Sequence, residues 1–338
     1  MSIVLIEGWG GSGKSLLLSY LDSHSEIIAM PVHDKIPYDV AKLDSSNFIV
    51  NDQDIRKLRS ILSSHGYYNI EYNAIRKVIP VLLSTNKDDI INIPFKINFE
   101  AFESLWKSYV AKAKNMTKDE LVEYFYKAFA ESVEFKENKI FNNLKYYATL
   151  GDARSYLPNE ILEKFNDLKI IFVKRSIPDI IAIRSNRNTP TGLTKGMFEK
   201  DFLEVIFSGE INKIINYERS IQKAIISKND RVLNVDFDEL LSNKNETLFK
   251  IISFLNCQQE TLSPKLLGYD IGDGDKNYGS NKNDSAEELL SKTQLRIVIF
   301  LERAGRLSSI LNKGIFALMR TFYIIYRIFR RIYNLFKK

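Results

Sequence analysis

Short apolar runs alternate along this chain with longer segments of helical periodicity. Ser2 to Ile6 suits a strand buried on both faces, and Leu16 to Leu21 carries a helical apolar pattern. Ser23 to Met30 holds a second strand, and Pro31-Val32-His33-Asp34-Lys35 is predicted as a polar loop leaving its carboxyl end. Residues about 50 to 135 read as mostly helical. Helices are predicted over Asp52–Leu62, over Phe99–Val110, and from a capping box at Thr117-Lys118-Asp119-Glu120, whose apolar stripe includes Leu121, Phe125 and Phe129. Asn138 to Leu150 is predicted as a strand ended by Gly151-Asp152. Pro158 opens a helix to Phe165. Leu168 to Val173 is a strand followed by Lys174-Arg175-Ser176, and Pro178 opens the next helix. Helices follow over about 197–228, a strand over Arg231–Phe237 and a helix over Asn245–Leu255. Residues 257–285, rich in Gly, Asn, Asp and Ser, read as a long loop, and 286–311 as a helix. Strands alternating with helices predict an α/β fold: a doubly wound parallel sheet with a large helical insertion.

Between the first strand and the first helix lies Gly8-Trp9-Gly10-Gly11-Ser12-Gly13-Lys14-Ser15. It fits G-x-x-x-x-G-K-[S/T] and marks the sheet as P-loop type. Glycines let backbone N–H groups converge on a phosphate, and the helix N-terminus adds a favourable dipole. Lys14 would reach bridging or terminal oxyanions, and Ser15 would donate a hydroxyl to a phosphate or a metal.

With 45% hydrophobic and 27% charged residues, the 338-residue chain is able to bury a core. One cysteine, Cys257, excludes an internal disulfide and fits a reducing, cytoplasmic setting. Neither a signal peptide nor a membrane-spanning helix is expected. The net charge of +6 belongs to the end of the chain. Lys313, Arg320, Arg327, Arg330, Arg331, Lys337 and Lys338 occur without one acid after them, and removing those seven leaves −1 on residues 1–312. A body without a basic patch argues against a nucleic-acid partner. In the tail, Arg320, Arg327, Arg331 and Lys338 fall near one helical face. Phe316, Phe322, Ile325, Phe329, Ile332 and Phe336 cover much of the rest. Such an amphipathic helix suits an anionic membrane surface; a helix docked on the body or on a partner is the alternative.

Four stretches, in order over residues 2 to about 285, resemble the sulfotransferase superfamily, whose donor is 3′-phosphoadenosine-5′-phosphosulfate (PAPS). Gly13-Lys14-Ser15-Leu16-Leu17, running into Leu21-Asp22-Ser23-His24-Ser25-Glu26, is similar to the 5′-phosphosulfate loop and the segment after it. Lys169 to Arg175 with Pro178-Asp179-Ile180 is similar to the 3′-phosphate motif. Val235 to Leu241 with Phe254-Leu255, and Pro264 to Ser280, resemble the two later motifs. The resemblance implies sulfuryl transfer from PAPS to a hydroxyl or amine acceptor without a metal. Gly10, Gly11, Ser12, Gly13, Lys14, Ser15 and Arg175 would hold the donor, and Lys14 would neutralise the departing phosphate oxygen. A general base is expected in the loop after the second strand: His33, whose imidazole titrates ordinarily near roughly 6.5, or else Asp34. On a membrane, the acceptor would be a glycan or lipid-linked sugar assembled on the cytoplasmic side.

Two positions depart from the family pattern. Its basic residue before serine-glycine-threonine is Gly11 here, and the cation stands instead at Lys14. The family's phosphate-binding serine, eight residues after the arginine, is Ile183. Arg187, one turn on, is the expected replacement, with Arg184 and Ser185 pointing elsewhere. The complete Gly13-Lys14-Ser15 keeps an ATP-dependent kinase or other P-loop NTPase open, with Asp236 or Asp152 for magnesium. A non-catalytic, nucleotide-binding, membrane-associated protein is a third reading. The resulting division is a body over 1–285, a helix over 286–312 and a basic tail over 313–338.

Overall fold

The computed structural model describes residues 1–34, 36–41, 98–112, 116–132, 143–151, 158–186, 202–227, 230–266, 269–270, 285–307 and scattered positions between 314 and 329. Five strands make a wholly parallel sheet: β1 (Ser2–Glu7), β2 (Ile27–Asp34), β3 (Tyr146–Gly151), β4 (Lys169–Lys174) and β5 (Val232–Asp236). Their spatial order is β2-β3-β1-β4-β5. β1 is therefore central, and the chain leaves it first toward one edge and returns to build the other. Such a reversal opens a crevice at the carboxyl ends of the strands, where ligands of doubly wound sheets bind.

The strands are apolar on both faces because helices cover both. Ile3 and Leu5 of β1 face one core with Met30, Tyr147, Ile170 and Phe172. Val4 and Ile6 face the other with Ala29, Ala148, Ile171 and Val173. On the second face lie α1 (Lys14–Asp22), α9 (Phe237–Ser242) and α10 (Lys244–Phe254). The first face carries α2 (Ile36–Ala41), α3 (Phe99–Lys112), α4 (Lys118–Glu131), α5 (Pro158–Lys164), α6 (Ile177–Asn186), α7 (Phe202–Phe207) and α8 (Glu210–Ser227). Two further helices, α11 (Ala286–Leu289) and α12 (Lys292–Leu307), follow, and the short strands β6 (Lys265–Leu266) and β7 (Tyr269–Asp270) pair antiparallel.

The helical periodicity and the local caps carry over into the structure. Thr117 accepts from the Glu120 N–H, and the Glu120 side chain accepts from the Thr117 N–H, closing the capping box that opens α4. α3 and α4 pack through an aromatic cluster in which Phe125 meets both Phe102 and Trp106 edge-on. These two helices are the described part of the insertion. The helix predicted over Asp52–Leu62 lies outside the described residues.

Three predicted boundaries change. β2 does not stop at Met30 but runs on through Pro31 to Asp34, with a register shift between Met30 and His33. His33 and Asp34 are thus strand residues, paired with Leu150 and Gly151 of β3, rather than loop residues. The irregularity accommodates a proline that cannot donate to the ladder. The helical stretch over 197–228 is divided by Gly209, which takes a left-handed φ of 72° and ends α7 before α8 starts. The helix expected over 286–311 breaks at Leu290, where the backbone is extended. α11 is held from outside, since Asp179 of α6 accepts the Ala286 N–H at 2.7 Å. α12 is clamped to α8 by Arg306, which meets Glu218 at 2.9 Å.

Candidate functional site

At the carboxyl end of β1 the chain turns through the glycine loop into α1. Gly13 caps the helix in the left-handed region, at φ 94°, where a side chain is strained. There is no room for one either, because a Cβ on Gly13 would collide with the Phe237 ring at the start of α9. Phe237 in turn supports the Arg175 guanidinium, which stacks 4.5 Å from the ring centroid. Arg175 follows β4, and its Nη1 donates to the Gly11 carbonyl at 3.1 Å. The loop and Arg175 therefore form one structure, although they come from different strands.

Lys14 is almost wholly buried. Its Nζ donates to the carbonyl of Gly151 at 2.9 Å, so the ammonium lies across the top of the sheet beside the end of β3. The β2–β3 register sets Asp34 against Gly151 and His33 against Leu150. Both candidate bases thus have their backbone at the strand end where Lys14 is anchored. Ser12 is buried at 1% exposure, its N–H bonds Trp9 O, and its Oγ has no hydrogen-bond partner among the described residues. A buried, unsatisfied hydroxyl in a glycine-lined turn is a donor waiting for an acceptor. That donor, the glycine cradle and Lys14 fit the phosphate end of a nucleotide. Ser15 stands half-buried in the first turn of α1.

The helix after Arg175 also brings side chains to the loop. Ile183 packs on the loop, 3.3 Å from where a Gly11 Cβ would be. Arg187 lies outside the described residues. Arg184, expected to point away, instead reaches the loop: a Cβ on Gly10 would stand 3.0 Å from its Nη1. Ser185 does turn away, bonding the Ile181 carbonyl of its own helix at 2.7 Å. Two residues escaped sequence reading. Glu210 is buried and receives both Arg184 and the Trp9 indole. Glu7 ends β1 at 1% exposure, and a Cβ on Gly151 would strike its carboxylate and stand 2.7 Å from the Tyr38 hydroxyl. The available signal for Glu7 was an acid closing an apolar strand.

Of the two carboxylates suggested for magnesium, Asp236 lies among the described residues. Asp236 Oδ1 caps α9 by accepting the Asp238 N–H at 2.9 Å. Burial pushes the Asp238 carboxyl up, the charges of Asp236 and Asp179 add to that, and Arg175 opposes it. Asp152 lies outside the described residues. Away from the loop, His24, Glu26 and Cys257 bring ligand atoms within 4.8 Å of one another. Their bonds are those of a structural latch: His24 Nε2 meets Gln258 O at 2.9 Å, and Lys145 pairs with Glu26 at 2.8 Å. Burial, and then the Glu26 charge, push the Cys257 thiol up to about 12.

Sheet order and loop together define an α/β fold of P-loop type. No family model and no curated protein matches the sequence. Among solved structures the chain is similar to the sulfotransferase domain from the curacin biosynthetic pathway, at 11% identity and a TM-score of 0.42 over 88% of this chain and 96% of that one. It is also similar to the sulfotransferase domain of the Synechococcus PCC 7002 olefin synthase, at 12% identity and a TM-score of 0.43 over 88% and 92%. A third is the sulfotransferase STF1 of Mycobacterium tuberculosis H37Rv, at 9% identity and a TM-score of 0.34 over 82% and 76%.

Proposed function

We propose that the protein transfers a sulfuryl group from PAPS to a hydroxyl or amine acceptor. The observation that carries this reading is the joining of two cationic elements by one short contact, Arg175 Nη1 to Gly11 O at 3.1 Å. PAPS carries charge at two separated points and needs two anion sites. The loop from Gly10 to Ser15 takes the 5′-phosphosulfate, and Arg175 takes the 3′-phosphate. In the transfer, the acceptor oxygen or nitrogen bonds to sulfur while the bond from sulfur to the phosphate oxygen breaks. The acceptor proton passes to His33 or, failing that, Asp34. Charge grows on the departing phosphate oxygen, and Lys14 neutralises it. The step needs no metal.

A second reading, an ATP-using P-loop enzyme, draws on the intact Gly13-Lys14-Ser15, in which Ser15 would hold magnesium. Calorimetric titration separates the two. We expect 3′-phosphoadenosine-5′-phosphate to bind the protein, and Arg175→Ala to weaken that binding by about 10- to 100-fold, the scale of a charge-assisted contact. Binding of magnesium ATP alone, indifferent to Arg175→Ala, would replace the sulfuryl reading with the kinase one.

Leu318, Phe322, Ile324, Ile325, Ile328 and Phe329 are each at least 44% exposed, within a segment whose only charges are basic. Exposed apolar side chains interleaved with cations suit the interface of an anionic leaflet. No helix among the described residues is long and apolar enough to cross a membrane. We infer that the tail lies along an anionic, cytoplasmic membrane surface as a peripheral anchor and holds the 1–285 body near a glycan or lipid-linked acceptor.

A further inference from the structure

α12 is clamped to the body along one face and open to solvent along the other. On the inner face Val298 and Ala304 are buried, and Leu295 and Leu301 pack against the core. Arg219 of α8 donates to the carbonyls of Gly305 and Arg306 at the end of the helix, at 2.9 and 3.2 Å. Arg306 bridges Glu218 of α8 and Glu302 of its own helix, each at 2.9 Å. Glu302 is the one acid of α12, and it is thus drawn to the α8 side.

The outer face is a single stripe. Lys292, Thr293, Arg296, Ile297, Phe300 and Arg303 are exposed and recur at helical spacing. Phe300, 66% exposed, sits at its middle, within one turn of Arg296, Ile297 and Arg303. Cations and apolar side chains therefore share this face with no acid among them. Glu287 and Glu288 belong to α11, before the extended break at Leu290. An exposed aromatic ring between arginines fits the interface of an anionic leaflet, where the ring enters the acyl boundary and the guanidinium groups meet the headgroups.

The stripe is also next to the tail. Phe322 of the tail stacks on Phe207 of α7, and Leu203, one turn earlier on α7, is 44% exposed. α7 and α12 both pack on α6 and α8. Asp179, in the first turn of α6, accepts the Ala286 N–H at 2.7 Å. The segment leading into α12 therefore starts on the side of the sheet where β4 ends and the phosphate loop stands.

We propose that the outer stripe of α12 is a second lipid-contacting surface, which holds the body in one orientation on an anionic membrane. This rests on the reading of the tail as a membrane anchor. So few cations and apolar side chains give only marginal, reversible attachment by themselves, so the stripe orients a body that the tail retains.

The test uses the full-length protein and vesicles of phosphatidylcholine and phosphatidylserine with brominated acyl chains, which quench an indole that enters the bilayer. Trp9 and Trp106 are buried, at 5% and 2% exposure, and supply a constant background. Phe300→Trp keeps an aromatic ring on the stripe. Phe249→Trp puts the probe on α10, across the sheet, where Phe249 is 59% exposed. We expect the vesicles to quench the introduced indole in Phe300→Trp and to leave that in Phe249→Trp unchanged. The double variant Arg296→Gln/Arg303→Gln should bind the vesicles about 10- to 30-fold more weakly than the wild type, from the lost attraction of two cations to the surface. It should keep its urea unfolding midpoint. Vesicle binding without quenching in Phe300→Trp, equal quenching in both tryptophan variants, or unaltered affinity in the double variant would overturn the oriented face and leave the tail anchor in place. A blue shift in Phe300→Trp that grows with protein concentration in the absence of lipid would overturn it too, giving the stripe to a second copy of the chain. A wild type that does not bind the vesicles would remove the anchor and the face together.

Discussion

In the proposed sulfuryl transfer, Lys14 is the residue on which the chemistry turns. A lysine in a glycine loop would ordinarily extend into solvent, yet this one is 7% exposed and anchored at 2.9 Å on a backbone carbonyl of the adjacent strand. That hydrogen bond fixes the ammonium beside β3 before any reaction begins. Preset charge in a water-poor site acts most strongly on charge that develops in the transition state. Lys14→Ala should therefore lower turnover by about 10²- to 10³-fold, the cost of removing one such donor. Release of 3′-phosphoadenosine-5′-phosphate from PAPS, with any acceptor the wild type uses, is the quantity to follow. Turnover within a few fold of wild type would take the sulfuryl-transfer role away from Lys14.

At the scale of elements, the site depends on α1, α9 and the end of β4 meeting at one point. Gly13 caps α1, Phe237 opens α9 against it, and Arg175 stacks on the outer side of the same ring. A methyl group on Gly13 would be strained by its left-handed backbone and would also displace Phe237, and with it the platform under Arg175. We expect Gly13→Ala to cost about 1–3 kcal/mol from the backbone alone. It should also weaken 3′-phosphoadenosine-5′-phosphate more than a change confined to the loop would. Urea unfolding and calorimetric titration check the two halves. An unchanged unfolding midpoint would show that the loop relaxes freely, contrary to the packing seen.

Across the whole molecule, net positive charge gathers at one end of the chain, interleaved with exposed apolar side chains. The body is near neutral, whereas the last 26 residues carry seven cations, no acid and a series of exposed aliphatic and aromatic side chains. Among the described contacts of the tail with the rest of the chain is a stack of Phe322 on Phe207, with centroids 6.3 Å apart. Attraction to an anionic surface falls with salt, while burial of phenylalanine and isoleucine does not. Full-length protein should float with vesicles containing an anionic phospholipid and float less as salt rises. A chain truncated after residue 312 should stay in the soluble fraction and keep its nucleotide affinity. Undiminished flotation of the truncated chain would place the attachment elsewhere.

The sequence by itself determined whatever depends on neighbours along the chain. Apolar runs bounded by turns located β1 and β4, the capping box opened α4, and the glycine spacing marked the phosphate loop, because each rests on interactions within a few residues. Arg175 was legible for the same reason, standing at the end of an unmistakable strand. Only the tertiary structure decided the strand order, and with it which strand ends share the crevice. Pairing with β3 carried β2 past Pro31, so that His33 and Asp34 became strand residues level with Leu150 and Gly151. Tertiary contact also redirected Arg184. Along its helix nothing distinguishes it from a solvated charge at the end of a turn. Its direction is set by Glu210, a carboxylate from the start of another helix that cannot remain buried without a cation and finds one beside Gly10.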